Sequence, residues 1–172
     1  FTAEYKGSQF KFLCFGTSFD KFGYYPGDKV DVLSHIEINE YNDKKSVSVR
    51  VKDIRRSDFP QDKYFAARNF YEKILRGEKT DPRLLKRILP DKENMKLPFD
   101  LARQMTSVES AAQIAMSHGM NYCLFMMCLH VFAEFGHLKL DKINGTMEFI
   151  KGGRRIELES SSVVRCIRKS CS

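Results

Sequence analysis

An alternation of apolar and polar residues over residues 26–56 constrains the fold of this chain more than any other feature of its sequence. Valine or isoleucine occupies positions 30, 32, 36 and 38, and valine recurs at 47, 49 and 51 after a polar loop. Period-two alternation in two runs joined by a short loop predicts an antiparallel β-hairpin with one face packed on a core. Ser48, Arg50 and Lys52 take the other face, which we expect to carry hydroxyl and cationic groups into water.

Residues 1–25 are rich in aromatic side chains, which are interleaved with lysines. Residues 9–15 are expected to form a strand with apolar side chains on both faces. Aromatic rings among cations fit a stacking platform for single-stranded nucleic acid. The alternative is that the rings fill the core of a small β domain, and we predict a core position for Phe10, Phe15 and Phe22. Tyr41, in the hairpin loop, is the stronger candidate for an exposed stacking group.

Residues 58–98 change to a helical pattern. Apolar residues recur at helical spacing over residues 62–77, and Gly77 is a C-terminal stop signal. Residues 83–89 predict a short basic helix, and Pro98 must start, kink or stop the helix that follows. The cations of the basic helix share one face, which serves either as a solvated surface or as a phosphate contact.

Residues 99–172 predict helices followed by a hairpin. Ser107 is expected to open one helix, and Asn121 is expected to cap a second over residues 122–135. An Asn-Gly turn at 144–145 predicts a hairpin. Two helices joined by a glycine-containing turn and followed by a hairpin are typical of a winged helix-turn-helix. A strand over 154–158 and a short basic helix through Lys169 are expected to complete the chain.

The composition excludes several classes of function. The net charge of +7 is moderate and spread along the chain, so it is compatible with a polyanionic partner. Five cysteines without a C-x-x-C pair indicate reduced thiols in an intracellular protein, and the His/Cys spacing fits no metal site well. We find no nucleophile elbow, phosphate-binding glycine loop or H-E-x-x-H motif, and no run near the roughly 20 apolar residues of a membrane helix.

Residues 27–55 resemble the oligonucleotide-binding (OB) domain of RecJ, the family of bacterial single-strand-specific 5′→3′ DNA exonucleases. The similar pattern is a G-D-x-V-D turn, a strand ending in I-N-E-aromatic-N, a loop, and a strand ending in K-D-I-R. Residues 10–16 resemble the family strand that closes with an aromatic–glycine pair. Residues 129–136 and 155–161 resemble later family segments, so the resemblance covers nearly the whole chain.

Together with these patterns, the resemblance implies an α+β chain in three parts. These are a β-rich OB-like barrel over residues 1–57, a helical connector over 58–98, and a winged-helix-like domain over 99–172. Only residues 1–3 remain for the first OB strand, so we expect it to be truncated and the barrel to be open at that edge. The family's DHH and DHHA1 nuclease domains, which carry Mn²⁺ or Mg²⁺, lie upstream. We therefore expect a cytoplasmic bacterial fragment that has no cofactor of its own and is non-catalytic alone.

The resemblance also implies that the chain holds single-stranded DNA for the nuclease core, mainly through phosphate contacts. The residues predicted to bind DNA are Lys29, Tyr41, Lys44, Lys45, Ser48, Arg50 and Lys52. Each lysine can equally be a solubilising surface charge. The alternative is a protein-interaction module that docks on the RecJ nuclease core or on single-stranded-DNA-binding protein. The acidic tail of that partner suits Arg154, Arg155, Arg165 and Arg168. The apolar surface of the 122–135 helix argues against insertion into a DNA groove.

Overall fold

The structure, a computed structural model, describes residues 1–17, 22–41, 44–108, 110–141 and 144–170, with the backbone alone at Tyr41. The chain divides into two compact units, Phe1–Phe59 and Pro60–Ser172, which we call the N-terminal and C-terminal units. The fold is α+β, with a four-stranded mixed sheet in the first unit, and helices and a two-stranded sheet in the second. The finer division at residues 57 and 98 stays a prediction.

The sheet of the N-terminal unit has the strand order β1-β2-β4-β3. Its strands are β1 (Thr2–Tyr5), β2 (Ser8–Leu13), β3 (Val30–Tyr41) and β4 (Lys44–Arg56). The pairs β1–β2 and β3–β4 are antiparallel, whereas β2 runs parallel to β4. Because β1 and β3 are the edges of the described sheet, these strands do not close into a barrel. The OB assignment therefore stays a prediction.

The predicted hairpin is confirmed as the antiparallel pair of β3 and β4. Its register shifts between Leu33 and Ser34, where the pairing skips Lys52, as in a β-bulge. Beyond the bulge, Ile36 lies opposite Val49, and Ile38 lies opposite Val47. The expectation that this face packs on a core is wrong for its far end, because Ile36, Ile38 and Val47 are 65%, 72% and 68% exposed.

An aromatic cluster covers only the near end of that face. Phe1 stacks on Phe12 with ring centroids 5.1 Å apart, and Phe12 is the register partner of Val49 in β4. Phe22, partly buried, contacts the rings of Phe1 and Tyr24. The predicted core positions of two other rings are wrong, because Phe10 is 43% exposed and Phe15 is 71% exposed. Among the described residues, neither ring takes part in an aromatic pair.

The C-terminal unit contains six described α-helices, a 3₁₀ helix and one hairpin. The α-helices are α1 (Gln61–Leu75), α2 (Pro82–Arg87), α3 (Lys96–Ala102), α4 (Ala111–Ser117), α5 (Tyr122–Glu134) and α6 (Ser162–Ser170). The hairpin pairs β5 (Leu138–Asp141) with β6 (Thr146–Phe149), and the 3₁₀ helix is Leu158–Ser160. Helix α5 packs against α1, α3, α4, α6 and β5, so it is the centre of this unit. No helix of the described residues is long and apolar enough to span a membrane.

Local signals predicted much of this unit correctly. Asn121 caps α5, its Oδ1 accepting a hydrogen bond of 3.2 Å from the Leu124 N–H, as predicted. The β5–β6 pairing confirms the hairpin around the Asn-Gly turn. Phe125, Leu129 and Phe132 of α5 are fully buried, which confirms that this helix lies inside the unit. The order α4, α5, hairpin agrees with the predicted sequence of elements, while the winged-helix assignment itself stays a prediction.

Two of the predicted elements differ from those in the structure. Helix α4 begins at Ala111 instead of Ser107, because Ser107 forms a β-bridge with Thr146, at the start of β6. Residues 154–157 are irregular instead of a strand, and the 3₁₀ helix follows them. The Arg154 backbone N–H donates to the Phe135 carbonyl, so this segment is held to the end of α5 instead of joining a sheet.

Candidate nucleic-acid interface

Arg50 lies on the central strand β4, between β2 and β3. Its guanidinium carbon is 5.6 Å from the centroid of the Phe15 ring, and its Nε is 3.1 Å from Glu37 Oε2. Leu13 is its register partner on β2, so Leu13 lies on the same side of the sheet. We call the surface formed by Leu13, Phe15 and Arg50 the Arg50 surface. It combines an exposed ring with a guanidinium held against it, which suits stacking on a base and contact with a phosphate.

Ser48 differs from its prediction. Its side chain is predicted to point into water with Arg50 and Lys52, but Ser48 is only 9% exposed. It lies on the central strand β4, directly opposite Glu37 in the hairpin register. Arg50 and Lys52 are exposed as expected. Ser48 is therefore a structural residue of the sheet instead of part of its outer surface.

The predicted lysines divide into two groups. Lys29, Lys44 and Lys52 are exposed and take part in no ion pair among the residues that the structure describes. Lys45 lies 3.9 Å from Glu40 on the neighbouring strand. The backbone of Tyr41 pairs with Lys44 at the end of β3, and its side chain lies outside the description. The uncompensated cations of this prediction are thus Lys29, Lys44 and Lys52.

Carboxylates neutralise the arginines at the base of the hairpin. Arg55 pairs with Asp31 at 2.9 Å, and Arg56 pairs with Asp28 at 2.8 Å. Hydrogen bonds from the Ser57 hydroxyl and then from Arg55 lower the pKa of Asp31 below its ordinary value. The Asp31 carboxylate is therefore ionised near neutral pH, and it compensates the charge of Arg55 at this end of the hairpin.

The four arginines predicted to bind a partner are spread over the C-terminal unit. The Arg154 guanidinium lies 5.8 Å from the Phe135 ring centroid and donates to the Glu134 carbonyl. Arg168 forms an ion pair with Glu159. Arg155 and Arg165 are exposed and have no ion pair among the described residues. Contacts within the unit thus hold two of the four arginines, and the other two are open to a partner.

The histidines and cysteines of α5 take part in packing. Cys123 and Cys128 are fully buried, and burial raises the pKa of each thiol to about 12, so both are neutral. His130 Nε2 lies 2.7 Å from the hydroxyl of Tyr71 in α1. Across the described ranges, no three His, Cys, Asp or Glu side chains converge on a position where they could hold a metal ion.

Phe15 is the surface residue that sequence reasoning assigned to the wrong environment. It follows β2 by two residues and precedes Gly16, and only this position just past the end of a strand could have indicated exposure. Its apolar character alone predicts burial. No protein-family model, curated protein or solved structure gives a significant match to this chain.

Proposed function

We propose that the N-terminal unit binds single-stranded DNA through the Arg50 surface. The observation that supports this most directly is the exposed Phe15 ring with the Arg50 guanidinium 5.6 Å from its centroid. A base stacked on such a ring contributes about 1–3 kcal/mol to binding, and every base has a face to stack. Lys52 and Lys44, on the same strand as Arg50, supply cations for the phosphates.

We further propose that this unit belongs to a RecJ-like exonuclease and holds DNA for a nuclease core elsewhere in that protein. The motif at residues 27–55 supports this assignment. In that role the unit is non-catalytic alone, and its contacts are independent of base sequence. A full-length gene with a DHH motif upstream would support this parent. A gene without this motif would refute the RecJ-like assignment and leave the DNA-binding proposal intact.

The binding proposal is tested by fluorescence anisotropy with a labelled oligothymidylate and the full chain. We expect Phe15→Ala to weaken binding by about tenfold, since one stacking contact is lost, and Phe15→Tyr to retain most of the affinity. Phe65→Ala is the matched control, because Phe65 is also exposed but lies on α1 in the C-terminal unit. Circular dichroism should show no loss of fold in any variant, since neither side chain is part of a buried core.

Salt dependence is the second measurement for the same proposal. Each phosphate contact should contribute a slope of about −0.7 in the plot of log affinity against log salt concentration for a single strand. Lys52→Gln should reduce the slope by roughly one such contact. A dissociation constant that is the same at low and moderate salt, or the same for Phe15→Ala and the unmodified chain, would refute the proposal.

A second candidate function, a protein-docking module, is favoured by the exposed end of the hairpin. Among the described residues of the N-terminal unit, no apolar side chain is buried, and Ser48 is the one buried residue. Ile36, Ile38 and Val47 form a contiguous apolar patch across β3 and β4. Contiguous apolar surface of this kind marks interaction sites in proteins. We propose that the nuclease core is the protein that would cover it.

The docking candidate is tested with Ile36→Ser/Ile38→Ser and a separately produced nuclease core. Burial of two isoleucines contributes several kcal/mol, so the double variant should lose at least tenfold in affinity. Leu75→Ser/Leu97→Ser, at exposed positions in the C-terminal unit, is the control and should bind normally. If both double variants bind the nuclease core as tightly as the unmodified chain does, or if both lose the same affinity, the hairpin patch is not the docking surface.

A further inference from the structure

The C-terminal unit contains a surface groove with a volume of about 760 Å³ between α1, α2 and the connection from α4 to α5. One wall is a single stripe of α1 that includes Lys63, Ala67, Phe70 and Lys73. These positions recur at intervals of three or four residues, so they lie on one face of the helix. Lys63 and Lys73 are ten positions apart in the sequence, which is about 15 Å along the helix axis. The groove is therefore elongated along α1.

The floor and the opposite wall of the groove are mainly apolar. Leu84 comes from α2 and Ile88 directly follows that helix, while Met116 and Met120 come from the end of α4 and its connection to α5. Leu84 is 43% exposed, and both methionines are partly exposed. Methionine side chains adapt to the shape of a bound apolar group because they are unbranched and flexible. Phe70 is the one aromatic side chain of the lining, so the floor suits aliphatic groups more than a run of stacked bases.

The charge on the groove has one sign. Lys63, Lys73 and Arg87 are exposed, and no carboxylate is among the residues that line it. None of the three cations has an ion pair within the described part of the chain. Glu72 precedes Lys73 in α1, but its carboxylate lies within ion-pair distance of Arg68 and Arg76 instead. Cations thus lie near both ends of one wall and on the other wall, around an apolar floor.

We propose that this groove binds an acidic amphipathic helical segment of a partner protein. Such a helix places aliphatic side chains at i, i+3, i+4 and i+7 on the apolar floor and its carboxylates beside Lys63, Lys73 and Arg87. A helix of about ten residues matches the roughly 15 Å length of the groove, and a single anionic headgroup would reach only one of its ends. The groove belongs to the C-terminal unit, so this binding is independent of the Arg50 surface.

The test titrates the full chain with a labelled helical peptide of about 14 residues that carries leucines at this spacing and glutamates on its flanks. A second peptide replaces every glutamate with lysine. We expect the acidic peptide to bind at least about tenfold more tightly, and we expect added salt to weaken it. Equal affinity for the two peptides, or no binding of the acidic peptide at about millimolar concentration, would overturn the proposal.

Variants then locate the site of binding. Lys63→Glu/Lys73→Glu should weaken the acidic peptide by about tenfold or more, and Leu84→Gln should also weaken it. Lys92→Glu/Lys151→Glu carries the same change in net charge at exposed positions outside the groove lining, and it should bind within about twofold of the unmodified chain. A loss confined to that control variant would place the peptide elsewhere and refute the groove as its site.

Two competing ligands distinguish a protein segment from other anions that could bind the groove. Oligothymidylate that displaces the peptide in the unmodified chain, but not in the Lys63→Glu/Lys73→Glu variant, would assign the groove to nucleic acid and overturn the proposal. Dodecanoate that displaces the peptide at similar concentration would reassign it to a small amphiphile. Failure of both to compete, together with the expected variant pattern, supports the protein segment. Circular dichroism of each variant verifies that the charge reversals leave the fold intact.

Discussion

The N-terminus of α6 is held to the end of α5 by one carboxylate. Glu134 Oε2 accepts a hydrogen bond of 2.7 Å from the hydroxyl of Ser161, and Oε1 accepts one of 2.6 Å from the backbone N–H of Ser162. The Ser161 Oγ in turn accepts from the Val164 N–H, which caps the helix. Ser161 is fully buried, so loss of this carboxylate would leave a buried hydroxyl without its acceptor.

We predict that Glu134→Gln lowers the free energy of unfolding by about 1–2 kcal/mol at neutral pH. Hydrogen bonds to a charged group contribute about 1.5–3 kcal/mol. We expect a loss at or below the low end of this range, because the carboxylate is partly exposed and the glutamine oxygen retains one of the two hydrogen bonds. Glu148→Gln is the matched control, because Glu148 is an exposed carboxylate on β6 without an ion pair among the described residues. It should change stability by less than about 0.5 kcal/mol.

The pH dependence distinguishes this account from a general loss of packing. Partial burial raises the pKa of Glu134, but the hydrogen bonds from Ser162 and Ser161 lower it by more, so it lies below its ordinary value of 4.5. A carboxylate with a lowered pKa in the folded state stabilises the protein fully above its unfolded pKa. That stabilisation is lost as the pH falls through the folded pKa. The difference between the unmodified chain and Glu134→Gln should therefore shrink as the pH falls below about 4.5.

The assay is urea unfolding followed by far-ultraviolet circular dichroism across this pH range. The described α-helices lie in the C-terminal unit, so the helical signal reports on that unit. A difference between the two proteins that does not shrink as the pH falls from about 7 into the acidic range would show that charge has no part in the contact. A loss no larger than that of Glu148→Gln would show that the two hydrogen bonds do not hold α6.

Two further predictions concern the interior of the C-terminal unit. Tyr71→Phe removes the hydroxyl 2.7 Å from His130 Nε2 and should cost about 1–2 kcal/mol in urea unfolding, and an unchanged midpoint would contradict a stabilising hydrogen bond. Alkylation at about pH 8, resolved by peptide mass spectrometry, should modify exposed Cys166 quickly. Cys123 and Cys128, with pKa values of about 12, should react only on unfolding, and similar rates for all three thiols would refute their burial.

Local patterns predicted the elements well where one short segment holds the whole signal. Asn121 caps α5 because its own side chain reaches a backbone N–H three residues later. The period-two runs at positions 30–38 and 47–51 pair as an antiparallel hairpin because the intervening loop is short. In both cases the residues that carry the signal also form the contact, so little knowledge of the remaining chain is needed.

Exposure could not be predicted in the same way. Phe15 and Ile38 are apolar, and sequence reasoning placed both in a core, yet 71% of one and 72% of the other lie in solvent. Whether an apolar face is covered depends on what packs over it, and the aromatic cluster around Phe12 reaches only part of the sheet. Ser48 shows the converse, because it is a buried polar residue that its own alternation pattern assigned to water.

The sequence by itself therefore determined the hairpin of residues 26–56, the cap of α5 and the burial of that helix, since periodicity and capping act within a few residues. Only the tertiary structure decided that β2 lies parallel to β4, that the Phe15 ring meets the Arg50 guanidinium, and that α1 and α2 enclose a basic groove. Each of these joins segments that are distant in sequence or separated by a turn. Their contacts depend on strand pairing and helix packing, which no local pattern encodes.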